Sequence, residues 1–115
     1  METGRHRAMF HISDTPKAGL CMNNVRNLLD EMGEINVEVE VVVNGAAVEE
    51  FVRGGELESK VRDLMGRGVR FLACNRALNA HQVKGEDLID GFSIISAGIV
   101  ELVKRQREGW CYVRP

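Results

Sequence analysis

Cysteine is the strongest nucleophile this chain carries, and it occurs three times, as Cys21, Cys74 and Cys111. Deprotonated, a thiol attacks carbon or sulfur and ligates soft metals. The three are odd in number and widely spaced, with no Cys-x-x-Cys pair. That argues against a disulfide scaffold and against the usual zinc spacing, so no metal is expected. As free thiols of a reducing compartment, each is judged by its surroundings. Cys74 ends the apolar run Val69-Arg70-Phe71-Leu72-Ala73 and is followed by a helical pattern. At such a handover the sulfur would face the unsatisfied N–H groups of a first helical turn, which lower a thiol's pKa. The competing reading is a small buried residue packing a strand end. Cys21 falls on an apolar helical stripe and reads as core. Cys111 falls in the last strand and reads as structural, with a role as a second thiol left open.

Polar neighbours are weighed in the same way. Asn75 and Arg76 follow Cys74 directly, and His81 lies a few residues on. Arg76 would add positive charge, and His81 is a proton partner or a solvent-facing histidine. Asp14 is either a pocket carboxylate or a helix cap, and its place before Thr15-Pro16 favours the cap. Asn44-Gly45 is good turn chemistry. His11 alternates with Phe10 and Ile12 and reads as a satisfied, partly buried histidine, while His6 is expected in a frayed terminus.

The elements that must position these residues alternate strand and helix. Ala8 to Ile12 reads as a strand, followed by Ser13-Asp14 and then by Pro16, a residue favoured at a helix start. Ala18, Cys21, Met22, Val25, Leu28, Leu29 and Met32 form one stripe at helical period, and Gly33 ends it. Val37 to Val43 opens as VEVE and closes as a valine run, the pattern of a strand covered on both faces. Ala46 to Val52 reads as a short helix, Leu57 to Met65 as a second stripe, Val69 to Ala73 as a strand, and Arg76 to Val83 as another short helix. Phe92 to Ser96 reads as a fourth strand, with the Ala97-Gly98 turn after it. In the next helix Ile99, Val100, Leu102 and Val103 should face one way and the charged residues the other, with Glu101–Arg105 and Lys104–Glu108 as ion pairs. Trp110 to Val113 reads as the last strand. This alternation implies a parallel sheet with helices on both faces. In such sheets ligands bind outside the carboxyl ends of the strands. That selects Asp14, Asn44, Gly45, Cys74, Asn75 and Gly98 as the candidate cleft.

The composition narrows the function classes. The chain has 115 residues, a net charge of −2, 44% hydrophobic and 28% charged residues. That suits one domain, 1–115, with no linker or repeat. Near-neutral charge disfavours a binder that relies on nucleic-acid backbone charge. No apolar run reaches the ~20 residues of a membrane span. METGRHRAMFHISD lacks the apolar core of a signal peptide, so a cytoplasmic address is expected. There is no P-loop, no G-x-G-x-x-G after the first strand and no serine nucleophile elbow, so no cofactor is expected.

The segment VRFLACNRALNAHQVKGEDLIDGFSIISAGIVELVKRQREGWCYVRP resembles the DsrE/DsrF-like (YchN-like) family. The similarity rests on Ala73-Cys74 at a strand end, the Ala77-Leu78 helix and the Glu86-Asp87-Leu88 turn, with Ser96-Ala97-Gly98 and Glu108-Gly109-Trp110 beyond. Asn23, Asn24 and Asn27 and the VVVNGAAV segment agree more loosely. The resemblance implies a three-layer α/β/α sandwich with a five-stranded, mainly parallel sheet, assembled as trimers or hexamers. It further implies a sulfur carrier or sulfurtransferase-like protein that holds sulfane sulfur as a persulfide on Cys74, between donor and acceptor proteins. Arg76 stands where small residues are common in that family. The alternative is a non-catalytic oligomeric module that binds a small ligand or protein partner at the strand-end cleft.

Overall fold

The computed structural model describes residues 5–115. Met1–Gly4, the first residues of the stretch tested above for a leader, lie outside them. Five strands form one all-parallel sheet: β1 (His6–Ile12), β2 (Val37–Val43), β3 (Arg70–Cys74), β4 (Ser93–Ile95) and β5 (Cys111–Val113). Their spatial order is β4-β3-β2-β1-β5. The helices are α1 (Ala18–Met32), α2 (Glu58–Gly66), α3 (Asn75–Ala80) and α4 (Gly98–Arg107). Together they make the three-layer α/β/α arrangement expected from the alternation.

Strand β2 is central because its sequence can be buried on both faces, and only Glu38 among its seven residues is not fully buried. The α1 stripe buries Ala18, Cys21, Met22, Val25 and Leu29 against the sheet. Gly33 closes that helix with φ +87 and donates its N–H to Leu29 O at 2.8 Å, the left-handed ending that glycine permits. The larger core lies on this face, beneath α1, α2 and α3. At its centre Phe51, Phe71 and Phe92 meet with ring centroids 5.4–6.3 Å apart in tilted pairs, the geometry aromatic quadrupoles favour. On the opposite face, among the described residues, α4 alone covers a smaller core of Met9, Val42, Leu102 and Trp110.

Several expectations change. His6 is not frayed: it opens β1, and its N–H donates to Asn36 O at 2.9 Å. The helix expected at 46–52 is a 3-10 turn over Gly45–Glu50, and the one expected from Arg76 begins at Asn75 and ends at Ala80. A further 3-10 turn, Thr15–Lys17, precedes α1, with Pro16 in its first positions. In α4 only Leu102, with Gly98, is buried, while Ile99, Val100 and Val103 are exposed. A lone helix over a sheet presents one line of side chains to it, and the rest of the apolar arc stays outside. Glu101–Arg105 pairs at 2.9 Å as expected. Glu108 pairs instead with Arg105, at 2.9 Å and three residues apart, rather than with Lys104.

Candidate functional site

At their carboxyl ends β3 and β4 part company. The chain leaves β3 into α3, which packs Ala77 and Leu78 into the larger core, and leaves β4 into α4 on the other face. Adjacent strands whose connections go to opposite sides open a crevice between them, the preferred ligand position in open α/β sheets. Cys74, paired in register with Ile95, is the last residue of β3 at that point. It is also the N-cap residue of α3, with extended backbone. Its side chain makes no capping hydrogen bond, so the expected contact between sulfur and helix N–H groups is not made. Cys74 is a free thiol, 6% exposed, and belongs to the larger core.

The neighbouring strand ends are tied into a polar network. Asn44 follows β2, and its N–H donates to Ile12 O at 2.9 Å. Its Oδ1 lies 3.0 Å from His11 Nε2. Tyr112 Oη lies 2.7 Å from His11 Nδ1, and Arg114 Nη1 lies 3.2 Å from the same atom. A guanidinium only donates. Nδ1 is therefore the acceptor, and the imidazole is neutral with its proton on Nε2, donating to Asn44. The His11 pKa is held below its usual value, first by burial and further by the Arg114 charge, against the Asn44 hydrogen bond and Asp14. Arg114 also donates to Ser13 Oγ at 2.9 Å and lies 3.7 Å from Asp14. Asp14 is the N-cap residue of the Thr15–Lys17 turn, yet its carboxylate makes no capping bond, so the cap expected there is one of backbone position only.

Gly45 and Gly98 are small for steric reasons. A β-carbon on Gly45 would stand 3.0 Å from Ser13 O, at φ +56. One on Gly98 would stand 3.3 Å from Asn44 Nδ2 and 3.4 Å from Val42 Cγ1. Gly98 therefore lets the start of α4 close onto the Asn44 amide. Asp14, Asn44, Gly45 and Gly98 are thus brought together along the ends of β1 and β2, beside the thiol-bearing end of β3.

The residues flanking Cys74 separate. Asn75 and Arg76 are exposed on the first turn of α3. Asn75 opens onto a cavity of about 590 Å³ along α3, lined also by Asn79, Gln82, Lys84 and Glu86. His81 sits at the far end of the helix, on the order of 10 Å along its axis from Cys74. Its Nδ1 meets Glu49 Oε2 at 3.1 Å. Cys21 is completely buried, and burial pushes its thiol up to about 12. Cys111, read as structural, is exposed on edge strand β5. Among the described residues, no group of three or more His, Cys, Asp or Glu side chains is placed to hold a metal ion.

Tyr112, Ser13 and Arg114 were not singled out by spacing. Tyr112 and Arg114 reach His11, and Arg114 reaches Ser13, across about a hundred residues of chain, and no periodicity carries those links. The available signal was alternation: Arg114 follows Tyr112 by two residues, just past the end of the last strand, as His11 follows Met9 in the first.

The DsrE/DsrF-like family pattern matches residues 7–115. A solved structure of a protein of unknown function, MTH1491 from Methanobacterium thermoautotrophicum, is 39% identical, with a TM-score of 0.88 over 96% of this chain and 99% of that one. The ychN protein from E. coli shares the fold at 17% identity and a TM-score of 0.74, over 98% and 100% of the two chains. BT1422 from Bacteroides thetaiotaomicron, a conserved protein of unknown function, does so at 11% and 0.77, over 95% and 94%. No curated protein sequence matches the chain.

Proposed function

The chain belongs to the DsrE/DsrF-like family, and we propose that it is a sulfur carrier holding sulfane sulfur as a persulfide on Cys74. The observation that carries this reading is the place of Cys74 at the end of β3, where the connections from β3 and β4 leave to opposite faces of the sheet. The Cys74 thiolate attacks the outer sulfur of a donor persulfide, R–S–SH, and a new S–S bond forms on Cys74. The donor's S–S bond breaks, and its electron pair leaves on the inner sulfur as RS⁻. That thiolate takes up the proton Cys74 released, giving Cys74–S–SH and RSH with no net oxidation, and an acceptor thiolate repeats the attack. Asn75 and Arg76 flank the entry, where the Arg76 cation favours the departing RS⁻ thiolate. Asp14, Asn44, Gly45 and Gly98 shape the adjoining strand ends. With Cys74 only 6% exposed, attack is confined to a narrow line of approach, which shields a held sulfur from stray thiols.

The test is cysteine-resolved mass spectrometry after incubation with a sulfane-sulfur donor, with Cys74→Ser alongside. One added sulfur on Cys74, absent from the variant and transferable to a thiol acceptor, is the expected result. Silence at Cys74 overturns it.

A second reading, a non-catalytic module that binds a small ligand or protein partner, draws on the 590 Å³ cavity and its three amide side chains. Ligand binding that survives Cys74→Ser would favour it. In either reading the chain works as a homo-oligomer, a trimer or hexamer, in the cytoplasm. Exposed Ile94, Ile99, Val100 and Val103 support the first point, because apolar side chains of that size favour burial in an interface. Three free thiols support the second. Sedimentation of the native protein tests the assembly.

A further inference from the structure

Among the described residues, Glu40 is the one charged residue that is buried, with its side chain 1% exposed. It lies midway along β2, under the second half of α4. Arg70 Nη2 and Arg105 Nη2 both donate to Oε2, at 3.2 and 3.1 Å. Oε1 has no partner. A buried carboxylate oxygen without a donor is costly. Arg105 directs Nε to Glu101 and Nη1 to Glu108, each at 2.9 Å, and none of its N–H groups reaches Oε1.

The charges around Glu40 do not balance. Arg70 brings Glu38 at 3.5 Å from β2, and α4 brings Glu101 and Glu108. The cations are Arg70 from β3, Arg105 from α4 and Arg7 from β1, all three guanidiniums lying 4.7–5.7 Å from the Trp110 ring centroid. Four carboxyl groups thus share three guanidiniums. One proton cancels the surplus charge, and on Oε1 it turns an orphaned acceptor into a donor toward the neighbouring Glu101 carboxylate.

We propose that Glu40 is a carboxylic acid in this fold, donating from Oε1 to Glu101, and that losing the proton loosens α4 from the sheet. Without it, two anions face each other across the joint between β2 and α4, one of them shut off from water. The pKa directions agree with a donor and an acceptor. Burial, then the hydrogen bond and charge of Glu101, push Glu40 up to about 7 against Arg105, while the hydrogen bond with Glu40 is the first cause holding Glu101 down. Gly98 begins the same helix and abuts Asn44, so a shift of α4 reaches the strand-end cleft. The inference stands whether or not Cys74 carries sulfur.

The experiment follows the side-chain carboxyl carbon of Glu40 by NMR in ¹³C-labelled native protein, together with amide exchange along α4 corrected for intrinsic rates. The expected result is an un-ionised Glu40 at about pH 6 that titrates across neutrality. Protection from Leu102 to Gln106 should then fall roughly tenfold by about pH 8. E40Q, whose amide keeps both a donor and an acceptor, should hold α4 protected and remove the pH dependence. A Glu40 carbon already at the carboxylate position at about pH 5 overturns the proposal. So does a Glu40 that titrates while α4 protection does not follow. The wild-type measurements decide both points if E40Q fails to fold.

Discussion

His11 donates from Nε2 to Asn44 Oδ1 at 3.0 Å, which fixes both the tautomer of the ring and the orientation of the amide that packs against Gly98. The ring is neutral in the fold, with its pKa held below 6.5 chiefly by burial. Below that value the unfolded chain binds a proton that the folded one resists, so this group's contribution is present above about pH 6.5 and is lost as pH falls through the depressed value. The raised Glu40 pKa acts in the opposite sense, stabilising at low pH and losing its effect as pH rises to about 7. The difference between wild type and His11→Gln isolates the histidine. Urea unfolding of both at stepped pH should show the variant's deficit shrinking with acid.

Thiol reactivity should follow burial. Under native conditions iodoacetamide is expected to modify exposed Cys111 first and Cys74 more slowly. Cys21, with its thiol pushed up to about 12, should react only after unfolding. Peptide mapping over time gives the order, and early labelling of Cys21 would contradict the packing described for α1.

Gly45→Ala should destabilise the fold by about 1–3 kcal/mol, since the new β-carbon meets a backbone oxygen and the residue keeps a left-handed φ. The contact with Ser13 O, at 3.0 Å, cannot yield by a side-chain rotation. A denaturation midpoint unchanged from wild type would show that the turn after β2 relaxes freely.

Phe71→Ala removes a buried ring that touches both Phe51 and Phe92. The expected loss is about 3–5 kcal/mol, the range for emptying an aromatic core site. Guanidinium unfolding checks it, and a loss well under 1 kcal/mol would mean that the cluster collapses around the gap.

The strand and helix alternation was readable because each element carries its own period: the α1 stripe, the β2 valine run and the glycine that ends α1 are all local. Cys74 was readable for the same reason, as a cysteine between an apolar run and a helical pattern. What the sequence concealed depends on topology. The alternation VEVE in β2 does not tell Glu38 from Glu40, yet α4, arriving some sixty residues later, buries Glu40 and leaves Glu38 half out. The His11 network likewise joins residues that only the β1–β5 pairing makes neighbours. The pairing of His81 with Glu49 is also set by where the end of α3 falls, which local sequence does not show.

Ala8 of β1 ladders with Cys111 of β5, about a hundred residues further along the chain. During synthesis β1 is made early and can pair with β2 as soon as α1 is complete, but its other edge stays bare until residues 111–113 exist. A nascent chain therefore presents unpaired main-chain groups of β1 until about a hundred further residues are made, an opening for wrong partners. Everything from β1 through β5 must be available before the sheet can close. Slow, late closure of that edge, rather than helix formation, should set the pace of folding.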